Sequence, residues 1–154
     1  MSTILLSFEP DWFSFLESGK KKFEYRKHFP TGEDTTVYFY VSQPVKAITG
    51  IAHFGKRENL SDWLAKYSAR PQEVKDRIND FMTDCRYAVP MKTFTKTNKI
   101  PLDKLRNDLP NFIVPRMYYY IDDSELLEYL QTNLLPTEDT RINDFSFIAD
   151  IDIC

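Results

Sequence analysis

The residues able to do chemistry crowd into one short stretch. Gly19-Lys20-Lys21-Lys22-Phe23-Glu24-Tyr25-Arg26-Lys27-His28 sets a single carboxylate among five Lys and Arg side chains. Neighbouring positive charge lowers a carboxyl pKa, so Glu24 is expected to stay ionised. Arginine can grip a carboxylate or a phosphate through two parallel hydrogen bonds. Two chemistries fit. Arg26, Lys22 and Lys20 could hold phosphate, or Lys21 and Glu24 could handle protons or water. A lysine serves as a base only when burial or like charge brings its pKa down. Lys20 and Lys22 would provide that repulsion, and Glu24 would oppose it. The bland alternative is an exposed edge strand carrying ordinary surface lysines.

Other side chains extend either chemistry. The Ser7 and Ser42 hydroxyls could hydrogen-bond a phosphate or a base, or equally satisfy local backbone. The rings of Tyr40 and Tyr87 could stack on bases, a contact worth about 1–3 kcal/mol per base, or could serve as barrel core. Trp12 and Trp63 lie on helical stripes and read as packing. Several chemistries are missing. There is no G-x-S-x-G, P-loop or G-x-G-x-x-G, and four glycines leave little room for a phosphate-cradling loop. His28 and His53 are far apart with no cysteine at ligand spacing, so neither metal nor cofactor is expected.

The elements that must position these groups belong to one domain spanning 1–154. Hydrophobic residues make up 42% and charged residues 28%, which places the chain among globular proteins. Aromatics reach 15%, mostly Phe and Tyr, which tilts the expectation towards sheet. Apolar runs are too short to span a bilayer, so no membrane partner is expected. Two cysteines without metal spacing, and no secretory signal, point to a reduced, cytoplasmic protein. The net charge of −3 conceals an asymmetry. Residues 1–121 hold 19 Lys+Arg against 14 Asp+Glu, and residues 122–154 hold one Arg against nine acids. Cations gathered on one face attract polyanions whatever the net charge.

Periodicity predicts strands over 3–8, 22–27, 36–42, 45–54, 86–96 and 113–121. Val37, Phe39 and Val41 share one face, and Tyr38 and Tyr40 the other. A helix is expected over 10–18, opened by Pro10 and stopped by Gly19. Further helices are expected around 60–67, 71–82 and 124–130, with a helical turn after Pro101. The last residues alternate: Phe145, Phe147, Ala149, Ile151 and Ile153 fall on one side. Many short strands with a few inserted helices favour a partly closed barrel over a doubly wound sheet.

Three blocks in order then carry a resemblance. They are Ile4 to Pro10 (ILLSFEP), Gly19-x-Lys21-x-x-Glu24-Tyr25-Arg26, and Tyr40-x-Ser42-x-Pro44-x-Lys46-x-Ile48-x-Gly50. Together they resemble the ASCH family, named for the activating signal cointegrator homology domain. Tyr87-Ala-Val89 and Pro115 to Tyr119 resemble the family's final barrel strands more loosely. The resemblance covers residues 3–55 well and 85–130 weakly. It implies an α+β fold: a PUA-like, partly closed mixed β-barrel with flanking and inserted helices. It also implies a cleft floored by the glycine–lysine–arginine segment, where PUA-like relatives bind RNA or modified bases.

Some members look like enzymes: one group are amidohydrolases of N4-acetylcytidine, and another cleaves single-stranded RNA. In the amidohydrolases a lysine, matching Lys21, is followed three residues later by a threonine nucleophile. That position is Glu24 here, which argues against the amidohydrolase version but not against every hydrolase. Glu9 also stands where many members carry a lysine. Strict alternation would put Lys21 with core-facing Phe23 and Tyr25, so the match needs Lys21 in the turn before the strand. The leading expectation is recognition of RNA or a modified nucleotide, with Ser7, Lys21, Glu24, Arg26 and Ser42 converging on one cleft. The alternatives are a hydrolase using Lys21 and Glu24, and a small-ligand sensor.

Overall fold

A computed structural model describes all 154 residues. The first strand, β1 (Ser2–Phe8), leads through α1 (Pro10–Glu17) into β2 (Phe23–Arg26). β3 (Thr35–Val41) and β4 (Ala47–Phe54) follow, then a two-residue β5 (Glu58–Asn59) and the helices α2 (Leu60–Lys66) and α3 (Gln72–Asp84). β6 (Tyr87–Thr95), β7 (Ile100–Pro101), α4 (Leu102–Asp108), β8 (Tyr118–Tyr120), α5 (Glu125–Asn133) and β9 (Arg141–Ile142) complete the chain, with one 3-10 turn at Asp150–Asp152.

The strands form one mixed, curled sheet in the order β2-β6-β4-β3-β1-β8, a half-barrel of PUA-like architecture. β1 and β3 run parallel in the register Ser2↔Thr35 to Phe8↔Val41. Every other pairing is antiparallel. Parallel neighbours need a long crossover, and the segment holding α1 and β2 supplies it.

Both faces of the sheet are covered, so β1 reads as an unbroken apolar run: Ile4, Leu5 and Leu6 are all buried. Ile4, Leu6, Val37, Phe39 and Val41 face a main core under α1. Leu5, Tyr38 and Tyr40 face a second cluster with α4 and α5. A third cluster joins Phe23 of β2 to Trp63 of α2 and to Val74 and Ile78 of α3.

Two backbone features aim the chain. Gly19 has φ +80, and the N–H groups of Gly19 and Lys20 donate to the carbonyls of Leu16 and Phe15. This double closure of α1 is a Schellman turn. It delivers Lys21 immediately after the helix. The second feature is a bulge. β3 advances from Tyr38 to Tyr40 while β4 advances from Ile51 to Ile48, so β4 carries the extra residue. Gly50 sits there with φ +85, and its N–H donates to Thr97 Oγ1 at 2.7 Å.

The structure departs from the expectations at two places. The strand expected over 113–121 is only Tyr118–Tyr120. The alternating tail forms no long strand. Ile153 is buried, whereas Phe147 and Ile151 are 73% and 74% exposed. Side chains of the tail are sorted by what they meet, since no sheet edge enforces a period of two.

A Cβ on Gly50 would lie 3.0 Å from Phe13 Cζ, on a backbone that L-residues rarely adopt. Gly50→Ala is therefore expected to destabilise the fold by about 1–3 kcal/mol. Gly32→Ala, which meets nothing nearer than 3.8 Å, should be near neutral. Parallel thermal unfolding of the two variants measures the difference.

Candidate functional site

Lys21 lies outside the strand, in the turn between α1 and β2, and is only 4% exposed. Glu24 and Arg26 then fall on one side of β2, while Phe23 and Tyr25 turn into the third cluster. Strand alternation therefore sets the carboxylate and guanidinium side by side. Glu24 is 7% exposed, and both its oxygens are engaged. Oε1 accepts from the Tyr25 N–H at 3.0 Å and lies 3.6 Å from Lys21 Nζ. Oε2 accepts from Arg26 Nε at 3.0 Å. Arg26 Nη2 donates to the Ser7 carbonyl at 2.8 Å, which fastens β2 to the end of β1 although the two strands are not neighbours. Nη1 of Arg26 has no protein partner.

Aromatic rings frame this ion cluster. Lys21 Nζ stands 4.7 Å from the centre of the Tyr25 ring and 5.4 Å from that of Trp12. Tyr25 stacks on Phe81 of α3 at 3.9 Å, and the Arg26 guanidinium lies 5.4 Å from the Phe8 ring. Burial lowers the Lys21 pKa below the usual lysine value, with the Glu24 charge pulling the other way. The flanking lysines are not the cause. Lys20 is exposed and Lys22 is paired elsewhere. The Tyr25 phenol is pushed above its usual range, first by burial.

These groups floor a cavity of about 620 Å³, a size that suits a small ligand. Its walls come from the end of β1, the first turn of α1, the end of α3, the loop holding Arg116 and Met117, and Cys154. Lys27, His28 and Arg116 add polar groups to the rim.

Of the residues singled out from sequence, Ser7, Lys21, Glu24 and Arg26 line this cavity together. The other five do not line it. Lys22 Nζ donates to the Asp144 carbonyl at 3.1 Å and pairs with Asp152 at 3.4 Å. Lys20 is exposed beside the cleft, its carbonyl accepting from Cys154 Sγ. The Ser42 N–H donates to the Phe8 carbonyl at 2.9 Å, next to the cleft but outside its lining. Tyr40 is buried in the second cluster on the opposite face of the sheet. Tyr87 pairs with Arg26 across β6 and β2, its ring 4.0 Å from the Arg57 guanidinium.

Trp12 corrects the packing expectation: it is 50% exposed and lines the cavity. Trp63 is fully buried as expected. The signal was present in the composition of α1. Trp12, Phe13, Phe15 and Leu16 make too wide an apolar stripe for one short helix to bury, and only Phe13 and Leu16 go inside. Cys85 and Cys154, both free thiols, also reach the cavity, which their sequence spacing does not show. No group of three His, Cys, Asp or Glu side chains is placed to hold a metal ion. No helix is long and apolar enough to cross a membrane.

The fold matches that of a solved protein, the ASCH protein of Zymomonas mobilis. The TM-score is 0.66 at 20% identity, covering 89% of this chain and 99% of that one. Crystal structures of two variants of that protein, Tyr-to-Phe and Ser-to-Ala, match with TM-scores of 0.65 and 0.62 at 18% and 19% identity. They cover 88% and 85% of this chain, and 100% and 96% of theirs. No family model and no curated protein matches this sequence.

The ion cluster has a measurable signature. Because Glu24 raises the Lys21 pKa, Glu24→Gln should move the Lys21 titration to lower pH, followed by nitrogen-detected NMR of the ammonium group. Losing the buried charge-assisted bonds should also cost about 1–3 kcal/mol of stability. A second expectation follows from linkage. With the native pKa below the unfolded 10.5, the folded state sheds this proton first. The Lys21 contribution to stability therefore rises with pH between the native value and 10.5. Subtracting the pH-stability curve of Lys21→Met from that of the wild type isolates it. A flat difference would contradict the buried, charged lysine.

Proposed function

We propose that this chain is an ASCH domain whose cleft recognises RNA or a modified nucleotide. The observation that carries this reading is the convergence of Ser7, Lys21 and Arg26, from two separated segments, on one cavity rimmed by a half-exposed Trp12. Each has a task in nucleotide recognition. Arg26 is already oriented by Glu24 and by the Ser7 carbonyl, and offers its remaining N–H groups to a phosphate or base edge. The Ser7 hydroxyl adds a donor and acceptor at the same floor. Lys27 and Arg116 bring exposed cations to the rim, and Lys20 is exposed beside the cleft. Trp12, rather than Tyr40 or Tyr87, presents the ring face on which a base stacks.

A second reading has its own support. Lys21 is buried, has a lowered pKa, and sits 3.6 Å from a carboxylate. That is an arrangement for proton transfer in a hydrolase acting on RNA or a nucleoside derivative. Against it, Glu24 spends both oxygens on protein donors, which suits a fixed counter-ion better than a water-activating base.

Fluorescence anisotropy with short single-stranded RNA and with mononucleotides tests the binding reading. Affinity should fall as salt rises, because phosphate contacts release counterions. Trp12→Ala should weaken binding by about 1–3 kcal/mol if the ring stacks. Arg26→Ala should cost about tenfold or more, and Lys56→Ala, which alters an exposed charge outside the cleft, little. Equal losses for Arg26→Ala and Lys56→Ala would point to diffuse charge attraction. No binding at low salt would remove nucleic acid from the reading. Turnover of acylated cytidines or short RNA, abolished by Lys21→Met or Glu24→Gln in folded protein, would establish the hydrolase instead.

A further inference from the structure

The segment 141–154 lies against the cleft and takes up the cations beside it. Lys22, the neighbour of Lys21, donates to the Asp144 carbonyl and pairs with Asp152. Arg70, just before α3, pairs with Asp150 at 2.7 Å and donates to the Ile148 carbonyl. Arg77, one turn before Phe81 on α3, donates to the Asp150 carbonyl at 2.9 Å. At the other end Arg141 donates to the Leu16 and Glu17 carbonyls, which close α1. The segment thus bridges the C-terminal end of α1, the turn before β2, and α3, and Cys154 forms part of the cavity lining.

Its apolar docking is incomplete. Phe145, Ile148 and Ile153 pack into the third cluster, while Phe147 and Ile151 stay largely exposed. Its start is held by the pairing of β9 with β6 and by the Asn143 hydrogen bonds to Met91 and Lys92. Beyond Asn143 the hold rests on the three apolar anchors and on the ionic and carbonyl contacts of Asp144, Ile148, Asp150 and Asp152. The Asp152 and Asp150 carboxylates neutralise Lys22 and Arg70, cations that would otherwise be open to an anionic ligand.

Resting on the nucleotide reading above, we infer that segment 141–154 is a strap that sets the length of ligand the cleft accepts. While Lys22, Arg70 and Arg77 are held by the strap, Lys21, Arg26 and the rim cations remain for the ligand, enough for a mononucleotide or a strand end. A longer strand needs further cations along its backbone, and those cations are already satisfied. Loosening the strap exposes them and extends the site.

The test is the double variant Asp150→Asn/Asp152→Asn, which keeps the side-chain shapes and the apolar anchors. Its control is Asp123→Asn/Asp139→Asn, which removes the same charge from exposed positions outside the strap. Circular dichroism melting checks that both remain folded. Binding is measured with a labelled eight-nucleotide single-stranded RNA, and with adenosine monophosphate by competition. The strap variant should bind the octamer about 5- to 30-fold more tightly with a steeper salt dependence, and the mononucleotide within about twofold of wild type. Equal gains in strap variant and control would overturn the inference, as would octamer and mononucleotide affinities moving together or not at all. Elution from heparin-agarose separates this from failure of the nucleotide reading. A strap variant retained to higher salt than the control, with no nucleotide bound by any protein, keeps the strap and removes the nucleotide. Equal retention removes the strap whatever the RNA result.

Discussion

A carboxylate withdrawn from water must be met by charge and by hydrogen bonds, and this cleft is organised around that requirement. Glu24 is met by the Tyr25 N–H, by Arg26 and by Lys21. Each partner is thereby fixed. Arg26, once turned towards Glu24, reaches the Ser7 carbonyl and ties the end of β1 to β2 across strands that do not pair. Lys21 is drawn under Trp12 and over Tyr25, and Tyr25 stacks on α3. One buried anion thus relates a strand end, a turn and a helix wall, and the cavity is the space they enclose.

The sheet makes this possible by being covered on both sides. The main core seats α1 on one face, so its C-terminal turn is fixed and delivers Lys21 at a defined height. The second cluster takes Tyr38 and Tyr40 to the other face. The third cluster holds α2 and α3 against β2, and so places Phe81 and Cys85 opposite the ion cluster. The likeness to the Zymomonas mobilis ASCH protein at 20% identity is understandable in these terms. Such a curled sheet asks for apolar strands and a few backbone-specific glycines, which many different sequences satisfy.

The net charge of −3 says little about the cleft. Acids and bases are segregated along the chain, and folding brings the last acidic segment against cations just ahead of β2 and of α3. The local field at the cavity depends on which cations are neutralised by that segment and which, such as Lys27 and Arg116, are left to solvent. A count of charges in the basic stretch overstates the cations available to a ligand, because Lys22 is already engaged.

What the sequence alone determined follows from local physics. Alternation along Phe23 to Arg26 sorts Glu24 and Arg26 from Phe23 and Tyr25, and a glycine after an apolar helix stops it and turns the chain. The strands around β1, β3, β4 and β6 and the helix after Pro10 were legible for that reason. The meeting of Ser7, Lys21, Glu24 and Arg26 at one cavity is expected only from the ASCH resemblance, since strict alternation alone turns Lys21 into the core. Tertiary structure decided the rest. Trp12 is exposed because a short helix can bury only one stripe, and which stripe depends on where β4 lies. Tyr40 and Tyr87 are removed from the cleft because the face a strand turns inward is set by its neighbours. The tail's alternation came to nothing, since beyond β9 no sheet edge receives it and Lys22, Arg70 and Arg77 hold it as an irregular strap. Contacts between residues over a hundred positions apart, such as Lys22 with Asp152, leave no periodic trace in the chain. They exist only once the layers are stacked and a buried or half-buried charge has to find its partner.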